Sequence, residues 1–183
     1  MKNWTFALAL GAMICVGSGV YAQDDNKQVI AQQGDWVAGS YSPSPTSPPT
    51  VCMGLSDSSP SFGFRADDQG NFDIRMQDSD WSLPANAAGN IKISVNGHSY
   101  AYPGIAMSAS AIDASITQDQ LTALVGDMEI ASSMQVTVGS SAPTTVPLDG
   151  SQVVLTAFMT CAGINNPSKN TGGSDPFASS SSN

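Results

Sequence analysis

The sequence predicts a single α+β domain, mostly β: one β-sandwich or partly open barrel carrying two short helices. Three observations lead there. Several short segments alternate apolar with polar residues, which is the period of a half-buried strand. Turn signals separate them, Asn96-Gly97 above all. Only two later segments switch to helical spacing. With 183 residues, the chain is long enough for one domain with a real core.

The first residues read MKNWTFALALGAMICVGSGVYAQ. Lys2 supplies a positive start, an uncharged apolar run follows from Trp4 to Val16, and Val20-Tyr21-Ala22 has the spacing of a signal-peptidase site. The apolar run is short for the ~30 Å of hydrocarbon that a membrane anchor must cross. Ile14 precedes Cys15, where a lipoprotein site wants a small residue. Residues 1–22 are therefore expected to be a signal peptide, 23–33 a flexible N-terminal segment, 34–164 the β-rich globular domain, and 165–183 a disordered tail rich in Ser, Gly and Asn. The expected location is periplasmic or secreted.

Within the domain, GDWVAGSYS opens the fold and the proline-rich PSPTSPP, residues 43–49, forms a stiff loop. TVCMGLSD, 50–57, reads as a strand carrying Cys52. SFGFRADDQGNFDIRMQD, 61–78, is the clearest hairpin: Phe62, Phe64 and Ala66 alternate with Gly63 and Arg65, and Phe72, Ile74 and Met76 alternate with Asp73 and Arg75. Gly70 supplies the turn. NIKISVNGHSYAY is a second hairpin, and ASAIDASIT, 109–117, a further strand. Thr117 and Gln120 then form a capping box, followed by Leu121, Leu124, Val125 and Met128 on one helix face. MQVTVGS and TTVPL read as short strands. The last helix starts near Asp149 or Ser151, either of which can cap it. Its spacing places Val153, Val154, Ala157, Phe158 and Cys161 on one face, and Gly163 suits its C-terminus.

Without the leader, five Lys and Arg stand against fifteen Asp and Glu, a net charge of about −10. Such a surface disfavours nucleic acid and anionic membrane and favours a cationic protein as partner. Cys52 and Cys161 remain after export. An even count in an oxidising compartment points to one disulfide between them, the alternative being two buried thiols.

Catalytic chemistry is hard to assemble. His98 is the single histidine, so a Ser-His-Asp triad has one choice of base, and no Gly-x-Ser-x-Gly elbow is present. Two cysteines and one histidine do not make a four-ligand zinc site. ADDQGNFD superficially resembles a calcium loop, but aligning Gly70 to its glycine puts Arg65 and Met76 at ligand positions. No cofactor is implied. Carboxylate pairs such as Asp67 with Asp68, or Asp78 with Asp80, serve a glycosidase only if a cleft unites them. Trp81, Tyr100 and Tyr102 are the candidate exposed binding patch, with core packing as the alternative.

The order of landmarks resembles exported bacterial proteins of the invasion-associated locus B type. The matching pieces are Gly34-Asp35-Trp36, Cys52, the Thr117–Met128 segment, and Leu148-Asp149-Gly150. The family typically has more cysteines and a Phe after the late glycine, where Ser151 stands here. The resemblance implies an exported β-rich domain with no catalytic residues to carry over. The expected function is thus a non-enzymatic envelope or secreted interaction protein. One alternative is a periplasmic inhibitor of a basic hydrolase such as lysozyme. A second is a hydrolase using paired carboxylates.

Overall fold

A computed structural model describes residues 26–164. The expected signal peptide and disordered tail lie outside the described residues. The elements in chain order are β1 (Lys27–Gln33), β2 (Trp36–Tyr41), β3 (Val51–Ser56), β4 (Ser61–Asp67), β5 (Phe72–Gln77), β6 (Ala88–Val95), β7 (His98–Ser108), β8 (Ala111–Ile116), α1 (Gln118–Glu129), β9 (Ser133–Val138), β10 (Thr144–Pro147) and α2 (Ser151–Cys161).

All ten strands join one antiparallel sheet in the order β1-β2-β3-β4-β5-β8-β7-β6-β9-β10. The first five form a meander. The chain then skips two places to β6 and fills the gap with β7 and β8. Helix α1 carries it back across β7 and β6 to β9. The sheet curls without closing, as the mostly-β α+β reading requires. Its two ends meet at one corner, where Trp36 Nε1 of β2 donates to Pro147 O of β10 at 2.9 Å.

The core lies on the inner face. Phe62 and Phe64 of β4, Ile74 and Met76 of β5, and Ile91 and Ile93 of β6 are all almost wholly buried there. Leu121, Leu124, Val125 and Met128 of α1 close over it. The α1 capping box is complete: Thr117 Oγ1 accepts from Gln120 N, and Gln120 Oε1 accepts from Thr117 N. Among the described residues no helix is long and apolar enough to cross a membrane.

Three details depart from the sequence reading. Residues 27–33 fall in the segment expected to be flexible, yet they form β1, paired along its length with β2 around a bulge between Val29 and Ala31. Both faces of β1 are largely exposed, so no hydrophobic alternation marks it; backbone pairing alone defines the strand. The second hairpin also runs further than expected, with β7 continuing through Pro103 to Ser108. Strand β8 pairs with β7 only from Ile105 onward, so Pro103 sits where one side of its strand has no ladder to lose.

Helix α2 is the third. Neither Asp149 nor Ser151 caps it; Gly150 does, at φ +83°, without a side-chain hydrogen bond. A Cβ at this position would collide with the carbonyl of Gln33, because the β1–β2 turn packs directly against the helix start. The buried face is Ser151, Val154, Leu155, Phe158 and Met159, while Val153 is 50% exposed. The stripe is thus rotated by about one residue from the expected one. At the other end Gly163, at φ +71°, and Ile164 donate to Thr160 O and Met159 O. This doubly bonded stop fixes the C-terminus of α2. Cys161, on the border of the buried face, is bonded to Cys52 of β3 with a Cα–Cα distance of 6.0 Å. The disulfide fits an oxidising compartment.

Candidate functional site

The three aromatic candidates do not form one exposed patch. Tyr100 and Tyr102 are two residues apart on β7, so they share a face. Their rings stack at 6.3 Å and 9°. Tyr102 is only 4% exposed and its hydroxyl has no hydrogen-bond partner. Burial pushes its pKa upward. Tyr102 is therefore a core residue and not an exposed anchor, since the β7 face that carries it turns inward. Trp81 lies in the β5–β6 connection, partly buried with Leu83 against the edge of the core.

Tyr100 belongs to a cluster that sequence reasoning did not find. Asp127 of α1 accepts from the Tyr100 hydroxyl at 2.5 Å and from Asn96 Nδ2 at 3.3 Å, and its Oδ2 lies 2.6 Å from His98 Nδ1. The carboxylate thus ties the Asn96-Gly97 hairpin to the helix. The one available signal was the position of Asp127 next to the apolar stripe, between Leu124 and Met128. The Tyr100 hydroxyl, then His98 and Asn96, hold Asp127 below its ordinary 3.8, against the opposing effect of partial burial. In return, the hydrogen bond to Asp127 and then burial push Tyr100 up to about 12. No serine hydroxyl bonds His98 among the described residues; Ser99 Oγ instead meets Ser94 Oγ at 3.3 Å.

This cluster predicts a specific pH response. The raised Tyr100 value means its contribution is complete below pH 10 and is lost as pH climbs towards 12. The lowered Asp127 value means its contribution is present above about pH 4 and fades as pH falls through the folded-state value. Phenolate absorbance should show late titration of buried Tyr102 and, through its bond to Asp127, of Tyr100. In the Asp127→Asn protein Tyr100 should titrate earlier. An unchanged titration would show that Asp127 does not control the phenol.

The outer face of the sheet is different in kind. Its centre is an ion-pair ladder: Arg75 binds Asp113 through two hydrogen bonds of 2.8 and 2.7 Å, and Arg65 meets Asp73 at 3.2 Å. Beside this ladder, β1–β3 turn apolar side chains outward. The register aligns Val37 with Leu55, Gly39 with Met53, and Tyr41 with Val51, and sets Val29 against Gly39. Val29 is 55% exposed, Tyr41 37%, and Ile30 in the bulge 36%. Where Val37 and Leu55 end, a cavity of about 340 Å³ opens between Asp57, Asp78 and a run of serines. Asp78 also accepts from Asp80 N at 3.0 Å. Among the described residues no group of three or more His, Cys, Asp or Glu is placed to hold a metal ion.

Fold and surface together define a disulfide-linked, curled antiparallel-sheet domain with an excess of acidic residues and an apolar patch on the outer side of β1–β3. No family model matches this chain, and neither a curated protein nor a solved structure matches it.

Proposed function

We propose that the chain is a non-enzymatic exported interaction protein of the invasion-associated locus B type, directed to the periplasm or outside by residues 1–22, and acting through association with a cationic protein. The observation that carries the reading is the outer face of β1–β3: apolar side chains facing solvent on a chain whose acids outnumber its bases by fifteen to six. Single exposed apolar residues are ordinary, but a contiguous set on one face marks a contact surface. Complementary charge would speed encounter, and desolvation of the apolar face would hold the complex.

The arrangement of the landmarks supports the family part of the proposal. Gly34-Asp35-Trp36 and Leu148-Asp149-Gly150 are far apart in sequence but pack against each other, through Trp36 Nε1 on Pro147 O and through Gly34 and Gly150 at the shared corner. Two short motifs that jointly seat α2 are the kind of pair a fold would require together.

Two measurements test the proposal. The exported chain should have the mass of a protein starting at Gln23. The mature chain should capture basic proteins from an envelope extract, with association rates that fall as salt rises, since exposed charges are screened beyond ~8 Å at physiological ionic strength. An exported chain still carrying residues 4–16, or capture indifferent to salt, would remove the reading.

A further inference from the structure

We infer that the cavity between the end of α1 and the start of α2 binds a free α-amino acid with an apolar side chain, held by its two opposite charges. The inference does not rest on the outer face of β1–β3. It adds a small-molecule site to the interaction reading above.

The cavity measures about 340 Å³, at the small end of the ~300–1,000 Å³ range of ligand sites. Helices carry opposite partial charges at their two ends, and this cavity meets one of each. Helix α2 starts here. The first amides of a helix have no acceptor within it. Ser151 N donates to Leu148 O at 3.1 Å, but no side chain caps the start and no acidic residue stands in its first turn. The amides of Gln152 and Val153 are left as donors. The Ser151 side chain adds to them. Ser151 is 2% exposed and lines the cavity, yet among the described residues its hydroxyl has no hydrogen-bond partner. A buried hydroxyl left so gives up its hydration for nothing, and a bound acceptor restores the bond. Three donors at a positive helix end suit a carboxylate.

A simple anion does not fit. Helix α1 reaches the same cavity with its negative end, has no basic residue in its last turn and finishes on Glu129. Asp149 lines the cavity as well. Among the described residues neither carboxylate makes an ion pair or a side-chain hydrogen bond. Two acids beside a carboxylate site repel an anion and call for a cation on the same ligand. An α-amino acid carries ammonium and carboxylate on one carbon. The carboxylate would take the Ser151 hydroxyl and the α2 amides, and the ammonium would face Glu129 and Asp149. The side chain would then lie against Met128 and Leu148, both buried in the cavity wall, with half-exposed Val153 at the rim. Ser132 O accepts from Leu148 N at 3.0 Å, which holds the two walls together.

The test titrates the disulfide-bonded mature chain at neutral pH with leucine and with two analogues that each lack one charge, leucinamide and isocaproate. Calorimetry should show one saturable site for leucine, with each analogue weaker by about tenfold or more. Ser151→Ala should weaken leucine binding by about tenfold. Glu129→Gln should weaken leucine binding yet tighten isocaproate binding, a reversal that loss of structure does not produce. Circular dichroism confirms the fold of both variants.

Absence of saturable leucine binding would overturn the inference. Leucinamide binding as tightly as leucine would remove the carboxylate site at α2, and isocaproate doing so would remove the ammonium site; either result overturns it. So would leucine binding unchanged in both variants, which would put the ligand elsewhere. Salt-dependent capture of basic proteins is measured separately and involves none of these ligands, so failure here leaves the proposed function standing.

Discussion

Reduction of the Cys52–Cys161 bond is expected to destabilise the folded domain by roughly 2–5 kcal/mol. The bond spans a sequence separation of 109 residues. The chain-entropy account assigns ~4.7 kcal/mol to closing a 100-residue loop, though strain and residual structure in the unfolded chain commonly reduce it. Net stability of a whole domain is about 5–15 kcal/mol, so this one bond is a large fraction of it. The native packing of α2 does not depend on the bond: Phe158 and Met159 are buried in their own right. Reduced protein should therefore keep its secondary structure at room temperature and unfold earlier. At roughly 3 °C per kcal/mol for a domain of this size, Tm should fall by about 6–15 °C. Thermal unfolding with and without reductant measures this directly. The Cys52→Ala, Cys161→Ala protein should behave like the reduced one. A midpoint unmoved by reduction would mean that the clasp contributes nothing.

Phe158→Ala should cost about 3–5 kcal/mol, the range for deleting a fully buried aromatic ring. Phe158 is 0% exposed and stacks on Phe64 at 6.0 Å, and Phe64 meets Phe62 edge-on at 5.3 Å. On its other side the helix closes on Gly54 of β3, where a Cβ would stand 3.1 Å from the Phe158 Cβ. Removing the ring leaves a void against rigid strands that cannot collapse far, so the upper part of the range is expected. Val153→Ala is the informative control. Its side chain is half exposed, and the change should stay within about 0.5 kcal/mol. Denaturant unfolding of both proteins decides the rotation of α2. Comparable losses at the two positions would restore the face that helical spacing alone suggests.

Much of the architecture is legible in the residues. The β4–β5 hairpin declares itself because large apolar residues alternate cleanly with charged ones that pair across the outer face. The α1 start is legible because a capping box needs only four consecutive residues. The cysteine pair follows from there being only two cysteines in the described domain. These signals are local, or require no knowledge of distance.

The rest depends on what packs against what. Strand β1 has no buried face, so only its partner β2 defines it. The Asp127 cluster joins residues about thirty positions apart, and His98, met alone in sequence beside a turn, gives no hint of its carboxylate. Tyr102 reads like Tyr100, yet one hydroxyl reaches a helix and the other lies buried. Strand β3 shows the difference most plainly. Its sequence Val51-Cys52-Met53-Gly54-Leu55-Ser56 offers the larger apolar residues on one face and small ones on the other. Burial by size alone would turn Val51, Met53 and Leu55 inward. The fold does the opposite and buries Cys52, Gly54 and Ser56. Helix α2, from a hundred residues further along the chain, occupies the inner side, with Phe158 against Gly54 and Cys161 bonded to Cys52. Sequence determined that β3 is a strand; the space left beneath the helix decided which side of it faces water.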